Sequence, residues 1–213
     1  MLIHTLTSNY YGSNCYIISE GDHAILIDPA DAGLVRDFLS REDLTIDLGI
    51  LTHEHCDHVY GCSAIREEYN CKMIASRICD INLRDNKKNY SRYYNSFIEI
   101  QTRLPVDTQS KMDPFTTYAD EVFENEKTLE WCGHIIVLRE TPGHSQGSIC
   151  IVIDNSYLFS GDTLMKDDST ETHFIGGDKE QLAQITLPWF KTLPESIIVY
   201  AGHGESFRLG DKL

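Results

Sequence analysis

The chain alternates short apolar runs with polar turn residues, and these runs follow more than one period. Runs bounded by glycine, proline, aspartate or asparagine predict β-strands at residues 2–6, 15–19, 24–27, 46–51, 72–75, 135–138, 148–153, 157–160 and 197–201. Apolar residues at helical spacing predict helices at 31–41 and 90–104, and two more helices are expected at 59–69 and 179–191. Strands therefore alternate with helices in both halves of the chain.

This alternation predicts the fold class. Hairpin-like strand pairs occur beside longer crossover connections, as expected for mixed sheets covered by helices in a layered α/β architecture. The sequence shows no linker that would divide it, so we expect a single domain over residues 1–213. Residues 76–123 are more polar than the rest and contain the helix predicted at 90–104, so we interpret them as a helical insertion.

The composition is that of a globular chain, and its charge excludes one class of partner. Of the 213 residues, 41% are apolar and 24% are charged, which is enough apolar material to build a core. The 18 lysines and arginines against 33 acidic residues give a formal charge of −15. A protein that follows a phosphate backbone needs a basic face, so we do not expect a nucleic acid as partner.

No targeting or membrane segment is visible in the sequence. The first residues lack a basic leader followed by a long apolar run, and no apolar stretch approaches the roughly 20 residues of a membrane span. The seven cysteines contain no C-x-x-C pair and are interpreted as reduced thiols. We therefore expect a cytoplasmic protein that does not associate with a membrane.

Histidine and aspartate are concentrated in four short motifs, each directly after a predicted strand or at a glycine turn. The motifs are His53-x-His55-x-Asp57-His58, Thr141-Pro142-Gly143-His144-Ser145, Ser160-Gly161-Asp162-Thr163 and Gly202-His203-Gly204. Imidazole and carboxylate groups are the ligands that borderline-soft divalent cations such as zinc prefer. Two neighbouring cations need about six ligands and a shared one, and the motifs supply that number. The sequence thus predicts two divalent metal ions. Zinc is the preferred candidate, with iron or manganese as alternatives.

These motifs, in this order, resemble those of the metallo-β-lactamase superfamily, and the resemblance extends over nearly the whole chain. It implies a four-layer αβ/βα sandwich in which two mixed sheets are flanked by helices and the metals lie between the sheet edges. It also implies the ligand roles: His53, His55 and His144 for the first metal, Asp57, His58 and His203 for the second, and Asp162 for the bridge between them. Asp57 is also predicted to be catalytic, and Asp28 to steady the ligand loop.

Within the superfamily, the segments Gly161-Asp162-Thr163-Leu164 and Gly176-Gly177-Asp178 are most similar to hydroxyacylglutathione hydrolase (glyoxalase II). This similarity implies a binuclear zinc hydrolase that cleaves a small thioester or related ester by a metal-bridging hydroxide. Residues 163–175 lack the Gly-Arg element usual in that enzyme and carry Lys166 and His173 instead. The resemblance therefore leaves the thiol part of the substrate open.

Other activities and partners are compatible with the same motifs. A mononuclear iron enzyme of the persulfide dioxygenase type would use only His53, His144 and Asp162, whereas a small-molecule phosphodiesterase or lactonase would use the full set. A metal site that only stabilises a binding protein is disfavoured, because the bridging Asp162 is retained. The insertion could form a lid, an interface of a homodimer or plain packing, and the expected partner is a small-molecule substrate.

Overall fold

Two six-stranded mixed sheets pack face to face in the computed structural model, which describes residues 1–108 and 110–212. The first sheet has the order β1-β2-β3-β4-β5-β6, and the second has the order β12-β11-β10-β9-β8-β7. Each sheet is built from one half of the chain, and an isolated β-bridge between Ser13 and His203 connects the two halves. The predicted layered α/β fold is confirmed.

The first sheet joins an antiparallel meander to a parallel part. Strands β1 to β3 pair antiparallel, and β3 to β6 pair parallel. Its strands are β1 (Leu2–Thr7), β2 (Asn14–Glu20), β3 (His23–Ile27), β4 (Thr45–Ile50), β5 (Lys72–Ser76) and β6 (Glu121–Phe123). Because β3, β4 and β5 run in the same direction, the loops that follow them open at one edge of the sheet.

The second sheet is antiparallel except for one pair. Strands β10 and β11 run parallel, and the other neighbours pair antiparallel. Its strands are β7 (Glu126–Trp131), β8 (His134–Glu140), β9 (Ile149–Ile153), β10 (Tyr157–Gly161), β11 (Ile198–Ala201) and β12 (Phe207–Arg208). The parallel pair places the ends of β10 and β11 side by side.

Helices cover both outer faces of the sandwich. Those of the first half are α1 (Ala32–Glu42), α2 (Cys56–Val59), α3 (Cys62–Tyr69), α4 (Arg77–Leu83) and α5 (Tyr94–Thr102). In the second half, α6 (Lys179–Gln181), a π-helical segment (Leu182–Thr186) and α7 (Leu187–Phe190) follow one another without a break. Among the described residues, none of these helices combines the length and apolarity needed to cross a membrane.

Three apolar clusters lie between layers: one between the two sheets, one between the first sheet and its helices, and one between the second sheet and α7. Ile18, Ile25 and Phe159 belong to the cluster between the two sheets. Ile17 and Leu26, which neighbour these residues along the strands, lie in the cluster under α1, α3 and α4. Successive strand residues thus face opposite layers, which explains why β2 and β3 are buried along most of their length instead of alternating.

The structure also differs from the prediction in several elements. Strands β6, β7 and β12 and helix α4 were not predicted, and the helix predicted at 90–104 is limited to α5. The last residues of the predicted insertion at 76–123 form β6, which pairs with β5 and completes the first sheet. The end of the segment interpreted as an insertion is therefore a strand of the first sheet. The other described residues of this segment include α4, α5 and loops.

Candidate metal centre

The four histidine and aspartate motifs meet at one edge of the sandwich because each follows a strand that ends there. His53, His55 and His58 come after β4, Asp162 follows β10 directly, and His203 lies two residues after β11. His144 lies in the loop between β8 and β9. The amide nitrogen of Asn14 donates to the carbonyl of Gly202 across the gap between the sheets, which fixes the two edges close together.

His53, His55 and His144 form the first group of the site. One nitrogen from each ring lies within 4.8 Å of the others, and the ring centroids are 4.6 to 4.9 Å apart. Nε2 of His144 is 3.0 Å from Nδ1 of His55. All three rings are buried. Three imidazoles that converge on one point in this way match the ligand set of a divalent cation.

Asp57, His58 and His203 form the second group. Nε2 of His203 lies 3.3 Å from Nε2 of His58 and 3.5 Å from Oδ2 of Asp57, and Nε2 of His58 lies 3.6 Å from that oxygen. His58 is fully buried, whereas Asp57 and His203 are partly exposed toward a cavity. This group combines two nitrogens and one carboxylate, and it stands open on one side.

Asp162 lies between the two groups and contacts both. Its Oδ2 is 3.6 Å from Nε2 of His144 and 3.5 Å from Nε2 of His203, and its Oδ1 is 3.4 Å from Nε2 of His58. The structure therefore brings together all seven residues that the sequence singled out. Their roles as ligands, and the catalytic role of Asp57, stay predictions.

Several buried atoms of the site have no hydrogen-bond partner among the described residues, which tests whether a metal fits. They include Nε2 of His53 and Oδ1 of Asp162. A buried polar atom without a partner destabilises a fold by about 1–3 kcal/mol. Divalent cations would satisfy such nitrogens and carboxylates, so the residues present fit a metal centre.

Hydrogen bonds behind the rings select the tautomer of His53. The hydroxyl of Thr52 donates to Oδ2 of Asp28 at 2.5 Å, so it can only accept from Nδ1–H of His53, 3.0 Å away. The amide of Thr52 donates to Oδ1 of Asp28. The proton on Nδ1 leaves Nε2 of His53 with a free lone pair, as a ligand requires. Asp28 thus steadies the ligand loop, as the resemblance implies.

His144 is oriented in a similar way, and a buried glutamate supports its loop. Nδ1–H of His144 donates to the carbonyl of Glu171 at 2.9 Å. Glu54 accepts a hydrogen bond from the hydroxyl of Ser145 and another from the side-chain amide of Asn82. Sequence reasoning missed Glu54. Its place between His53 and His55 was a signal, because a glutamate inside a buried loop is seldom found without a hydrogen-bond partner.

The electrostatics of the two groups differ. Burial lowers the pKa of His53 well below its usual value, lowers that of His144, and lowers that of His55 to about 3, so these rings are neutral. Burial would also lower the pKa of His203, but Asp162 and Asp57 raise it to about 9. The first group is thus already in the neutral form that binds metals, while the second must release a proton.

The sequence profile of the metallo-beta-lactamase superfamily matches residues 9–203, which include all seven converging side chains. The chain belongs to this superfamily. Similar proteins include a probable metallo-hydrolase of Methanocaldococcus jannaschii, 31% identical over 100% of this chain and 96% of that protein. A hydroxyacylglutathione hydrolase of Glaesserella parasuis is 27% identical over 94% of this chain and 68% of that protein.

A solved structure of the same superfamily confirms the fold at high coverage. BLEG-1, a B3 metallo-beta-lactamase, superposes with a TM-score of 0.78 and 28% identity, covering 99% of this chain and 95% of that one. Together with the profile match and the converging ligands, this similarity makes the chain a member of a metal-dependent hydrolase superfamily with a site suited to divalent metals.

A cavity of about 800 Å³ opens above the candidate metal centre. Its floor contains ligand residues from both groups, and its walls come from loops and from the segment around α5. Sequence reasoning identified Tyr90 and Phe97 only as part of an apolar helical stripe and missed Tyr11 and Phe174. These two lie in separate loops, where no periodic pattern marks them.

Proposed function

We propose that this chain is a binuclear metal-dependent hydrolase, with zinc as its metal, that cleaves a small thioester or related ester. The observation that carries the proposal is the position of Asp162, whose carboxylate contacts both groups of ligands. A carboxylate placed in this way suits two cations a few ångströms apart. The hydroxyacylglutathione hydrolase relative supports a thioester as substrate.

The residues of the chain have separable tasks in this reaction. When bound, the two divalent ions would lower the pKa of water toward neutrality and stabilise the negative charge that develops on the substrate carbonyl oxygen. His53, His55 and His144 would hold one ion, and Asp57, His58 and His203 the other. Asp57 and His203 also face the cavity, so they lie beside the reacting groups.

The net reaction adds water across the carbonyl–sulfur bond. A carbon–oxygen bond forms, the carbon–sulfur bond breaks, and the electron pair leaves with the sulfur. The thiolate takes up one proton, and the products are a carboxylate, a thiol and a released proton. Asp57 lines the cavity with its Oδ2 3.5 Å from Nε2 of His203, where a side chain would be placed to accept the proton that the water loses.

The proposal is tested by measuring metal content and hydrolysis in the same preparation. We expect about two zinc ions per chain and measurable cleavage of at least one thioester or ester. Asp162→Ala should weaken the binding of both ions and lower kcat/KM at least about 100-fold. Mutating a residue that only hydrogen-bonds to a metal ligand usually lowers activity by less than this. Asp167→Ala, an exposed substitution in the following loop, is the matched control.

Other outcomes would identify a different activity. Bound iron without zinc, together with oxygen uptake on glutathione persulfide, would favour the persulfide dioxygenase alternative. Cleavage of small phosphodiesters or lactones alone would move the reaction to those bonds. An Asp162→Ala protein that keeps two metals and full turnover would contradict the assignment of the bridge.

A further inference from the structure

Four aromatic side chains form a continuous arc across the mouth of the cavity. The ring centroids of Tyr90 and Phe174 are 5.4 Å apart, those of Phe174 and Phe97 are 6.3 Å apart, and those of Phe97 and Tyr11 are 5.5 Å apart. All four residues line the cavity. They come from three separate parts of the chain: the β1–β2 loop, the segment that includes α5, and the loop before α6.

Each end of the arc rests on a ligand ring of the metal centre. Tyr90 contacts His55 edge-on at 5.0 Å between centroids, and Tyr11 contacts His203 edge-on at 5.7 Å. The arc therefore runs from the first group of ligands to the second. An apolar group attached to a carbonyl at the centre would lie against these rings.

The backbone at the ends of the arc is in a conformation that bulky residues seldom adopt. Tyr11 has φ of 58° and Tyr90 has φ of 66°, both in the left-handed region. The hydroxyl of Tyr90 accepts a hydrogen bond from the amide of Ile175, which fixes the loop that carries Phe174. Strained residues held in place by their surroundings are typical of binding sites.

The exposed charged side chains that line the cavity are acidic. Its described lining includes the carboxylates of Asp168 and Glu171 at the rim but no lysine or arginine. The nearby Lys166 does not line the cavity and pairs with Glu205 at 3.1 Å. Positive charge would therefore be confined to the metals on the floor, and an anionic group that extends along the walls would meet apolar rings and carboxylates.

From this arrangement we propose that the substrate carries an apolar acyl group, which packs on the arc, and an uncharged leaving group. This inference rests on the proposed hydrolase activity and deepens it by naming the substrate class. Glutathione, which bears two carboxylates, fits these walls poorly. The aromatic arc would bind the acyl chain and so set the preference for apolar acyl groups, while the metal centre performs the cleavage.

The test compares thioesters that differ in one part at a time. Acetyl, butanoyl and hexanoyl thioesters of N-acetylcysteamine share a neutral thiol, and hexanoyl-glutathione shares the acyl group with the last of them. We expect kcat/KM to rise at least about tenfold from acetyl to hexanoyl, since each buried methylene contributes to binding. We also expect hexanoyl-N-acetylcysteamine to exceed hexanoyl-glutathione about tenfold or more.

Two variants test whether residues that line the cavity cause these substrate preferences. Phe97→Ala should lower kcat/KM for the hexanoyl substrate about tenfold more than for the acetyl substrate, whereas Ile100→Ala, an exposed change in the same helix, should not. Asp168→Lys should improve hexanoyl-glutathione relative to the neutral thioester. Equal rates along the acyl series, or a preference for glutathione, would overturn this inference and leave the hydrolase standing. The absence of any ester or thioester cleavage would overturn the proposed function itself.

Discussion

Asp28 acts on the metal centre through its neighbours while holding an uncommon backbone conformation. Its φ is 51°, in the left-handed region that aspartate and asparagine tolerate better than other side chains. Its carboxylate accepts two hydrogen bonds from Thr52 and lies 3.3 Å from Nδ1 of His58. One buried charge thus orients His53 through Thr52 and faces His58 directly.

Asp28→Asn separates the charge of this residue from its backbone role. Asparagine keeps the size and tolerates the positive φ but removes the negative charge that faces His58. We expect zinc affinity to fall about 10–100-fold, the usual cost of losing an outer-shell carboxylate. Competition with a chromogenic chelator measures this. Asp43→Asn is the matched control, because Asp43 is exposed and also has a positive φ of 53°. Unchanged affinity in Asp28→Asn would remove Asp28 from the metal centre.

At the scale of elements, the parallel pair β10 and β11 places Asp162 and His203 side by side, and Gly202 makes the close approach possible. A Cβ atom at Gly202 would lie 2.0 Å from Oδ1 of Asp162 and 2.9 Å from Cε1 of His58. The amide of Gly202 also donates to the carbonyl of Gly161 at 2.8 Å. The end of β11 therefore has no room for a side chain on the face that meets the centre.

Gly202→Ala should damage the metal centre through this contact. The methyl group would displace Asp162, so we expect metal content to fall below that of the wild type and kcat/KM to drop at least about tenfold, with stability reduced by about 1–3 kcal/mol. Gly204→Ala is a useful comparison, since its φ of 74° strains the backbone but a Cβ there meets nothing within 4 Å. That variant should lose about 1 kcal/mol of stability and keep its metals. Equal metal content in both variants would contradict the role given to Gly202.

The strands also show which parts of the fold and of the candidate site could be predicted from the sequence. The convergence of the seven side chains was predictable because their motifs follow recognisable strands, as at β4 and β10. Strand β7 was missed because it reads Glu-Lys-Thr-Leu-Glu-Trp, and only one face of it is covered. The aromatic arc could not be predicted, since Tyr11 and Phe174 each contact Phe97 only after distant loops have folded together.

At the scale of the whole molecule, the two halves of the chain are joined at the metal centre. The side-chain amide of Asn14 donates to the carbonyls of Ala201 and Gly204, and the hydroxyl of Tyr16 donates to the same carbonyl of Ala201 at 2.5 Å. His53 comes from the first half of the chain and His144 from the second, and both belong to the first group of the candidate centre. Cations bound there would link the two sheets and stabilise the molecule as a unit.

Metal removal should therefore lower the thermal stability of the whole chain. A ligand that binds only the folded state stabilises it by about 4 kcal/mol at a thousandfold excess over its Kd, which corresponds to roughly 8–16 °C in Tm for a chain of this length. A drop of that size on adding a chelator, read by differential scanning calorimetry, is the expected result. His144→Ala should show a smaller drop because it lacks a ligand of the first group. His173→Ala, whose side chain is 90% exposed, should respond like the wild type. A chelator that leaves Tm unchanged in the metal-loaded wild type would show that the two halves are held together by the protein contacts alone.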